Sequence, residues 1–205
     1  MIAMGGIGKR AFDLVAALGG VVVLLPIFLL IGFAIRMDTP GPIIFRQTRV
    51  GRHGCRFKIM KFRTMCEGAE GLGRETLGTK DPRITRVGSI LRRTKLDELP
   101  QLLNVVRGDM SLVGPRPEIP YYAERYTKED RVILSVRPGI TDPCSLALAD
   151  LDSIMASRGS ESAADFYVRV VQPQKLSLQR AYVESRTFLS DFLVILRTLG
   201  RIVWK

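Results

Sequence analysis

Two adjacent carboxylates, Asp97 and Glu98, stand among basic residues in the middle of the chain. Consecutive residues of a helix point about 100° apart, so the two would not share one face as a general acid–base pair. They could still have separate roles, one attacking an electrophile while the other handles a proton or a metal ion. Pro100 follows closely and is typical of a first helical turn, so the pair could instead cap a helix. The residues alone leave both interpretations open.

Basic residues are concentrated from Lys61 to Arg116, on both sides of the acidic pair. Guanidinium groups bind phosphate oxygens in a bidentate geometry, and nearby cations keep a carboxylate ionised, as a nucleophile must be. The loop at 108–117, GDMSLVGPRP, could present Arg116 rigidly, or it could be a plain structural turn. The basic residues of this stretch include Lys61, Arg63, Arg83, Arg86, Arg92, Arg93, Lys95, Arg107 and Arg116.

The segment from Leu14 to Ile35, LVAALGGVVVLLPIFLLIGFAI, carries no charged residue. It is longer than the roughly 20 residues that cross a hydrocarbon core. It is also too long for the apolar part of a secretory signal, and no small-residue cleavage site follows it. Basic residues flank both ends, which favours the cytoplasmic side for both, and Pro26 predicts a kink. A re-entrant helix bent at Pro26 and a kinked helix that spans the bilayer both satisfy this pattern.

Short strands and helices are expected in the rest of the chain, so the predicted fold class is α+β, mainly helical with a small β-hairpin or sheet. The helix expected at 90–106 is interrupted by Pro100, and Pro173 is a break or a helix start in the helix expected at 166–185. The expected elements are strands at 43–50 and 57–60 around a turn at 51–54, and helices at 90–106, 121–136 and 166–185.

The C-terminal segment 186–205 has apolar residues near helical spacing and basic residues on another face. A basic amphipathic helix of this kind can lie in the headgroup layer of a membrane. It could equally pack on the core of the domain. Both positions are compatible with the pattern.

The chain has a formal net charge of +11, from 31 Lys and Arg against 20 Asp and Glu. This excess suits an anionic partner, namely nucleic acid, anionic lipid or a phosphorylated substrate. The sequence holds no recognised nucleic-acid-binding motif, so we expect no nucleic acid partner. The three cysteines lack the CxxC spacing of a zinc site, and the single histidine, His53, lies in an expected turn.

Several segments, taken in order, resemble the bacterial sugar transferases, which are the monotopic phosphoglycosyl transferases. The series KFRTM, DELPQL and GDMSLVGPRP is specific, although each motif alone is weak. PQKLSLQRAY resembles the compact members that lack extra membrane helices. After RPGIT, many relatives continue with Gly and an Ala-Gln pair, whereas here Asp142-Pro-Cys-Ser145 follows, so this region does not predict the sugar. The matching pieces are KRAFDLVAA at 9–17, TRVG at 48–51, KFRTM at 61–65, the run 81–117 and RPGIT at 137–141.

The resemblance implies transfer of a sugar 1-phosphate from a UDP-sugar to a polyprenol phosphate such as undecaprenyl phosphate, with release of UMP. It implies that Asp97 is the nucleophile that carries a covalent phosphosugar, and that Glu98 assists deprotonation of the lipid phosphate. Mg²⁺ would neutralise the diphosphate, with Asp97 as a ligand. Arg92 and Arg116 match arginines that hold phosphate. Lys61 and Arg63 match the KFRTM segment beside the site.

The same resemblance predicts that the chain is divided into two parts. Residues 9–37 would form a re-entrant membrane helix kinked at Pro26, and residues 38–205 a cytoplasmic, membrane-associated catalytic domain with amphipathic interfacial helices. The expected partners are a UDP-sugar, a polyprenol phosphate and membrane lipid, and a homodimer is compatible with the sequence. The expected location is the cytoplasmic face of the bacterial inner membrane, where the enzyme would catalyse the first membrane step of glycoconjugate assembly.

Overall fold

A computed structural model describes residues 6–69, 81–144, 154–155, 157, 159 and 161–203. Within these ranges the fold is α+β and mainly helical, as the sequence predicts. The strands form two separate two-stranded sheets. The helices and the antiparallel sheet pack around the segments that carry the acidic pair and its basic neighbours.

The first element, α1, is a 33-residue helix at Gly6–Asp38 that contains Pro26. At 1.5 Å per residue such a helix is about 50 Å long, and it is long and apolar enough to cross a membrane. The kink at Pro26 stays a prediction. The large apolar side chains of its middle part are strongly exposed, among them Val22, Val23, Leu25, Leu29 and Leu30.

Both ends of α1 contact the rest of the protein. Near its start, Ala17 is fully buried against a cluster that includes Val105 and Met110. Near its end, Ile31 and Ile35 are buried in a second cluster. The exposed apolar stretch therefore lies between two anchored ends.

The predicted hairpin is confirmed. Strands β1 (Ile44–Val50) and β2 (Arg56–Phe62) are antiparallel, with Ile44 opposite Phe62 and Val50 opposite Arg56. His53, with a φ of 57°, adopts the left-handed conformation in the connecting turn. The hairpin places Lys61 near the end of β2, next to the buried Phe62.

The helix expected at 90–106 is two helices, and the break lies before Pro100. Helix α2 (Arg86–Thr94) ends at Lys95, which has a left-handed φ of 60°. A 3₁₀ turn at Leu96–Glu98 follows, and α3 (Gln101–Arg107) begins directly after Pro100. Proline is tolerated at a helix start because its missing N–H would have no partner there. The acidic pair thus lies in the turn between the two helices, as the sequence suggests.

A second sheet lies where the sequence suggested only a loop. Strand β3 (Ser111–Val113) is parallel to β4 (Gly139–Thr141), with Val113 opposite Thr141. The backbone just after β3 lies very close to the first residue of β4, since a Cβ on Gly139 would lie 2.1 Å from the nitrogen of Gly114. Strands of three residues have too few positions to show a period-2 pattern.

The prediction of one helix at 121–136 is wrong. Only α4 (Pro120–Ala123) and a 3₁₀ turn at Asp130–Ser135 are helical there. Thr127 and Asp130 exchange hydrogen bonds, because each side chain accepts from the backbone N–H of the other. This reciprocal cap starts a new turn and competes with a continuous helix.

The C-terminal part is helical. Helix α5 (Ala163–Phe166) continues through a π-helical stretch at Tyr167–Val171 into α6 (Gln172–Ser185). Pro173 lies in the first turn of α6, and the wider π-helical turn before it accommodates the missing hydrogen bond. Helix α7 (Phe188–Val203) follows.

Helix α7 is both packed and exposed. Val194 is buried against Val113 and Tyr182, and Thr198 Oγ1 lies 2.8 Å from Thr141 Oγ1. Another side of the helix presents apolar residues to the surroundings. The exposed ones are Phe188, Leu189, Phe192, Leu193, Leu196 and Leu199. The packing of this helix on the domain is confirmed, and its position in the headgroup layer stays a prediction.

We predict that Gly88→Ala destabilises the protein. In a helix this change alone would stabilise by about 1 kcal/mol, but the new Cβ would lie 2.1 Å from the carbonyl oxygen of Thr64. Overpacking against backbone costs about 1–3 kcal/mol or more, so the melting temperature should fall. Ser89→Ala, at the exposed neighbouring position, is the matched control. An unchanged or raised melting temperature for Gly88→Ala would contradict this packing.

Candidate active site

Glu98 is the centre of a compact charge cluster. Lys61 Nζ donates to Glu98 Oε1 at 2.9 Å, and Arg116 Nη1 donates to Glu98 Oε2 at 3.0 Å. Arg116 Nη2 also donates to Glu98 Oε1, which makes the pair bidentate. The three side chains come from β2, from the turn before α3 and from the loop after β3. The structure therefore brings together three of the residues that the sequence singled out.

Asp97 has a different environment from its neighbour. It is 7% exposed, and among the described residues no side chain or backbone group donates a hydrogen bond to it or forms an ion pair with it. Its carboxylate is therefore available to a substrate or a cation. Two adjacent carboxylates with such unlike surroundings can serve distinct functions.

The pKa values of the two carboxyls move in opposite directions. Burial raises the pKa of Asp97; Lys61 offsets part of this rise, and the negative charge of Glu98 adds to it. Burial also acts to raise the pKa of Glu98, but the charges and hydrogen bonds of Arg116 and Lys61 outweigh it and hold that pKa well below its usual value. Glu98 in turn raises the pKa of Arg116, so both members of that pair stay charged.

Arg63 and Arg92 have other hydrogen-bond partners. The Nη2 atom of Arg63 donates to the oxygen of Thr39 at 2.7 Å, and Nη1 donates to the oxygen of Pro40. Arg63 therefore holds the end of α1, where backbone carbonyls lack helical partners. Arg92 Nε donates to Thr64 Oγ1 at 2.9 Å. A phosphate-binding role for either arginine stays a prediction.

A partly buried network around Glu118 holds the loop that carries Arg116. Tyr167 Oη donates to Glu118 Oε1 at 2.6 Å, and Lys175 Nζ donates to the same oxygen. On the hairpin side, Arg49 Nη1 donates to the oxygen of Pro117 at 3.1 Å. Glu118 and its partners carry no signal in the sequence, because Tyr167 and Lys175 lie 49 and 57 residues from Glu118 along the chain and share no motif with it.

The carboxylates suit a cation that is bound jointly with a substrate. The described residues contain no group of three or more His, Cys, Asp or Glu side chains that could hold a metal ion by themselves. Both oxygens of Glu98 already accept from cations, which leaves Asp97 as the available protein ligand. Mg²⁺ is commonly bound by one or two carboxylates together with substrate phosphates, and the site fits that arrangement.

Comparisons with known proteins agree with one another. The family model described as bacterial sugar transferase matches residues 4–205. A Caulobacter vibrioides protein named UDP-glucose:undecaprenyl-phosphate glucose-1-phosphate transferase is 38% identical over 202 residues, which cover 93% of this chain and 68% of the relative. The exopolysaccharide production protein ExoY of Sinorhizobium fredii is 33% identical over 211 residues, 96% of this chain and 85% of the relative.

A third relative carries a different sugar in its name. The Aeromonas hydrophila UDP-N-acetylgalactosamine-undecaprenyl-phosphate N-acetylgalactosaminephosphotransferase is 40% identical over 136 residues, which cover 65% of this chain and 32% of that longer protein. Relatives with similar sequences are therefore named for different sugars.

We predict that Glu98→Gln lowers the pKa of Asp97. The change removes a negative charge that raises this pKa, and it leaves Lys61 and Arg116 to stabilise the ionised form of Asp97. The measurement is the pH titration of the ¹³C shift of the Asp97 carboxyl, identified by its loss in Asp97→Asn. Glu124→Gln, at a surface ion pair with Arg56, should leave the titration unchanged. If the pKa of Asp97 rises in Glu98→Gln, the negative charge of Glu98 does not raise that pKa, and the prediction is contradicted.

Proposed function

Because this chain belongs to the bacterial sugar transferase family, we propose that it transfers a sugar 1-phosphate from a UDP-sugar to undecaprenyl phosphate, as the names of its relatives describe. The products are UMP and undecaprenyl diphosphate-sugar. The observation that supports this most is the contrast within the acidic pair, in which the carboxylate of Asp97 has no hydrogen-bond partner among the described residues and Glu98 binds the side chains of Lys61 and Arg116. The chain would thus catalyse the first membrane step of a polysaccharide or glycoconjugate.

The first step is an attack by Asp97 on the β-phosphorus of the UDP-sugar. A bond forms between a carboxylate oxygen and that phosphorus, the bond to the bridging oxygen breaks, and UMP leaves. The raised pKa of Asp97 reflects a poorly solvated carboxylate, which loses little hydration when it attacks. Bound Mg²⁺, with Asp97 as a ligand, would supply charge neutralisation for the diphosphate.

In the second step an oxygen of undecaprenyl phosphate attacks the phosphorus of the aspartyl phosphosugar. The acyl phosphate bond breaks, and Asp97 is released as a carboxylate. The lowered pKa of Glu98 makes it a weak base in the resting site. Phosphate monoesters have a second pKa of about 6, so the acceptor is largely deprotonated at neutral pH. Glu98 is therefore better suited to placing Lys61 and Arg116 around the phosphates than to removing a proton.

The contacts of α1 support a re-entrant topology. Asp13, near the start of the helix, accepts from Ser111 Oγ at 2.7 Å, and Asp38, at its end, accepts from the backbone of Val87 at 3.0 Å. These positions are separated by about 37 Å in a straight helix, more than the roughly 30 Å hydrocarbon core. If α1 simply spanned the bilayer, its two ends would lie on opposite faces, and a domain that contacts both ends would be drawn into the lipid. Both ends therefore belong on one face, with the exposed middle of α1 in the bilayer.

This topology would place the site at the cytoplasmic face of the inner membrane. The exposed apolar side of α7 suits the headgroup layer, as does a basic chain of net charge +11. One substrate is soluble and the other is a lipid with its phosphate at that level. A site near the surface reaches both without extracting the lipid.

We predict that Asp97→Asn abolishes UMP release. An amide cannot act as the nucleophile, so turnover of a UDP-sugar with undecaprenyl phosphate in nanodiscs should fall by at least about 10³-fold. Glu124→Gln, which alters an exposed ion pair, should retain wild-type activity. Substantial turnover by Asp97→Asn would exclude Asp97 as the nucleophile.

We also predict that the start of α1 and the catalytic domain are labelled from the same side. Gly8 is exposed and has space for a side chain, so Gly8→Cys can carry a label at the start of α1. Glu124 is exposed on the domain surface, so Glu124→Cys can carry a label there. In a background without the three native cysteines, a membrane-impermeant maleimide should modify both in inside-out vesicles and neither in spheroplasts. Modification of Gly8→Cys in spheroplasts alone would indicate a spanning helix.

A further inference from the structure

Arg116 is held through its main chain as well as through its guanidinium group. Its backbone N–H donates to Asp142 Oδ2 at 3.2 Å. Its carbonyl oxygen accepts from Gln179 Nε2 at 3.3 Å, and the same amide nitrogen donates to Asp142 Oδ2 at 3.2 Å. One carboxylate and one amide thus bind both backbone groups of the residue that pairs with Glu98.

Burial makes this arrangement rigid. Asp142 and Gln179 are each 1% exposed, and hydrogen bonds in such a low-dielectric environment are stronger than those at the surface. Strands β3 and β4 align the two segments, because Gly114 N donates to the carbonyl oxygen of Thr141 at 3.1 Å. This bond lies directly before the contact between Arg116 and Asp142. Helix α6 then places Gln179 against the loop. The contact depends on three separate segments.

We infer that Asp142 and Gln179 are positioning residues that fix the backbone of Arg116, so that its guanidinium group meets both Glu98 and the substrate phosphates. The inference rests on the proposed function, which supplies those phosphates. A free arginine side chain samples many rotamers, so the position of its guanidinium group depends on a fixed backbone. A misplacement of about 1 Å at such a residue can lower a rate about 100-fold.

The experiment is a double-mutant cycle of Asp142→Ala with Arg116→Ala, read as kcat/KM for UMP release in nanodiscs. Asp142→Ala alone should lower kcat/KM about tenfold or more. In the Arg116→Ala background the same change should alter kcat/KM less than about twofold, because the guanidinium group that Asp142 positions through the backbone is gone. Thr141→Val, which removes the neighbouring hydrogen bond to Thr198, is the control and should stay near wild type.

An equal loss in both backgrounds, or no loss in the wild-type background, would overturn the inference. Melting temperatures of all variants separate loss of fold from loss of positioning. If Asp142→Ala does not fold, Asp142→Asn retains the volume and an acceptor oxygen, and the same comparison applies to its smaller loss. The proposed function fails separately, if the wild-type enzyme releases no UMP from any UDP-sugar.

Discussion

The shared ion pair of Glu98 with Lys61 and Arg116 is the interaction on which the site depends. A carboxylate that is largely removed from water is stable only when it is paired and hydrogen-bonded. The Glu98 side chain is 15% exposed, and Lys61 and Arg116 supply both conditions. Removing either partner would leave a charge without full compensation. The pair also explains how adjacent acids can differ. Glu98 is committed to the cations, and Asp97 remains available for chemistry.

Bringing these groups together requires most of the fold. The hairpin supplies Lys61, and the left-handed Lys95 ends α2 so that the 3₁₀ turn can present the acidic pair. The parallel β3–β4 pair then brings the Arg116 loop across. The long apolar helix α1 is part of the same structure, because Arg10 Nη1 donates to the carbonyl oxygen of Val105, near the end of α3, at 2.7 Å. The site and the apolar helix are therefore mechanically linked.

The sequence predicted the features that have local signals. The apolar run, the hairpin and the placement of Asp97 and Glu98 between two helices follow from periodicity, turn residues and Pro100. The parallel sheet and the breakdown of the 121–136 helix do not, since they depend on short strands and on a local cap at Thr127. Arg63 and Lys61 are near neighbours in one motif, yet they bind the end of α1 and Glu98 respectively. The Asp142–Gln179 contact spans 37 residues and depends on tertiary packing alone.

The most direct test of this account is mass spectrometry of the protein after incubation with a UDP-sugar in the absence of polyprenol phosphate. A nucleophilic Asp97 would be trapped as an acyl phosphate that carries the sugar, so the peptide that contains Asp97 should gain the mass of the sugar phosphate. Addition of undecaprenyl phosphate should then remove the adduct and yield the lipid product. UMP release that occurs only with the lipid present, with no adduct at any stage, would instead indicate direct transfer and contradict the role given to Asp97.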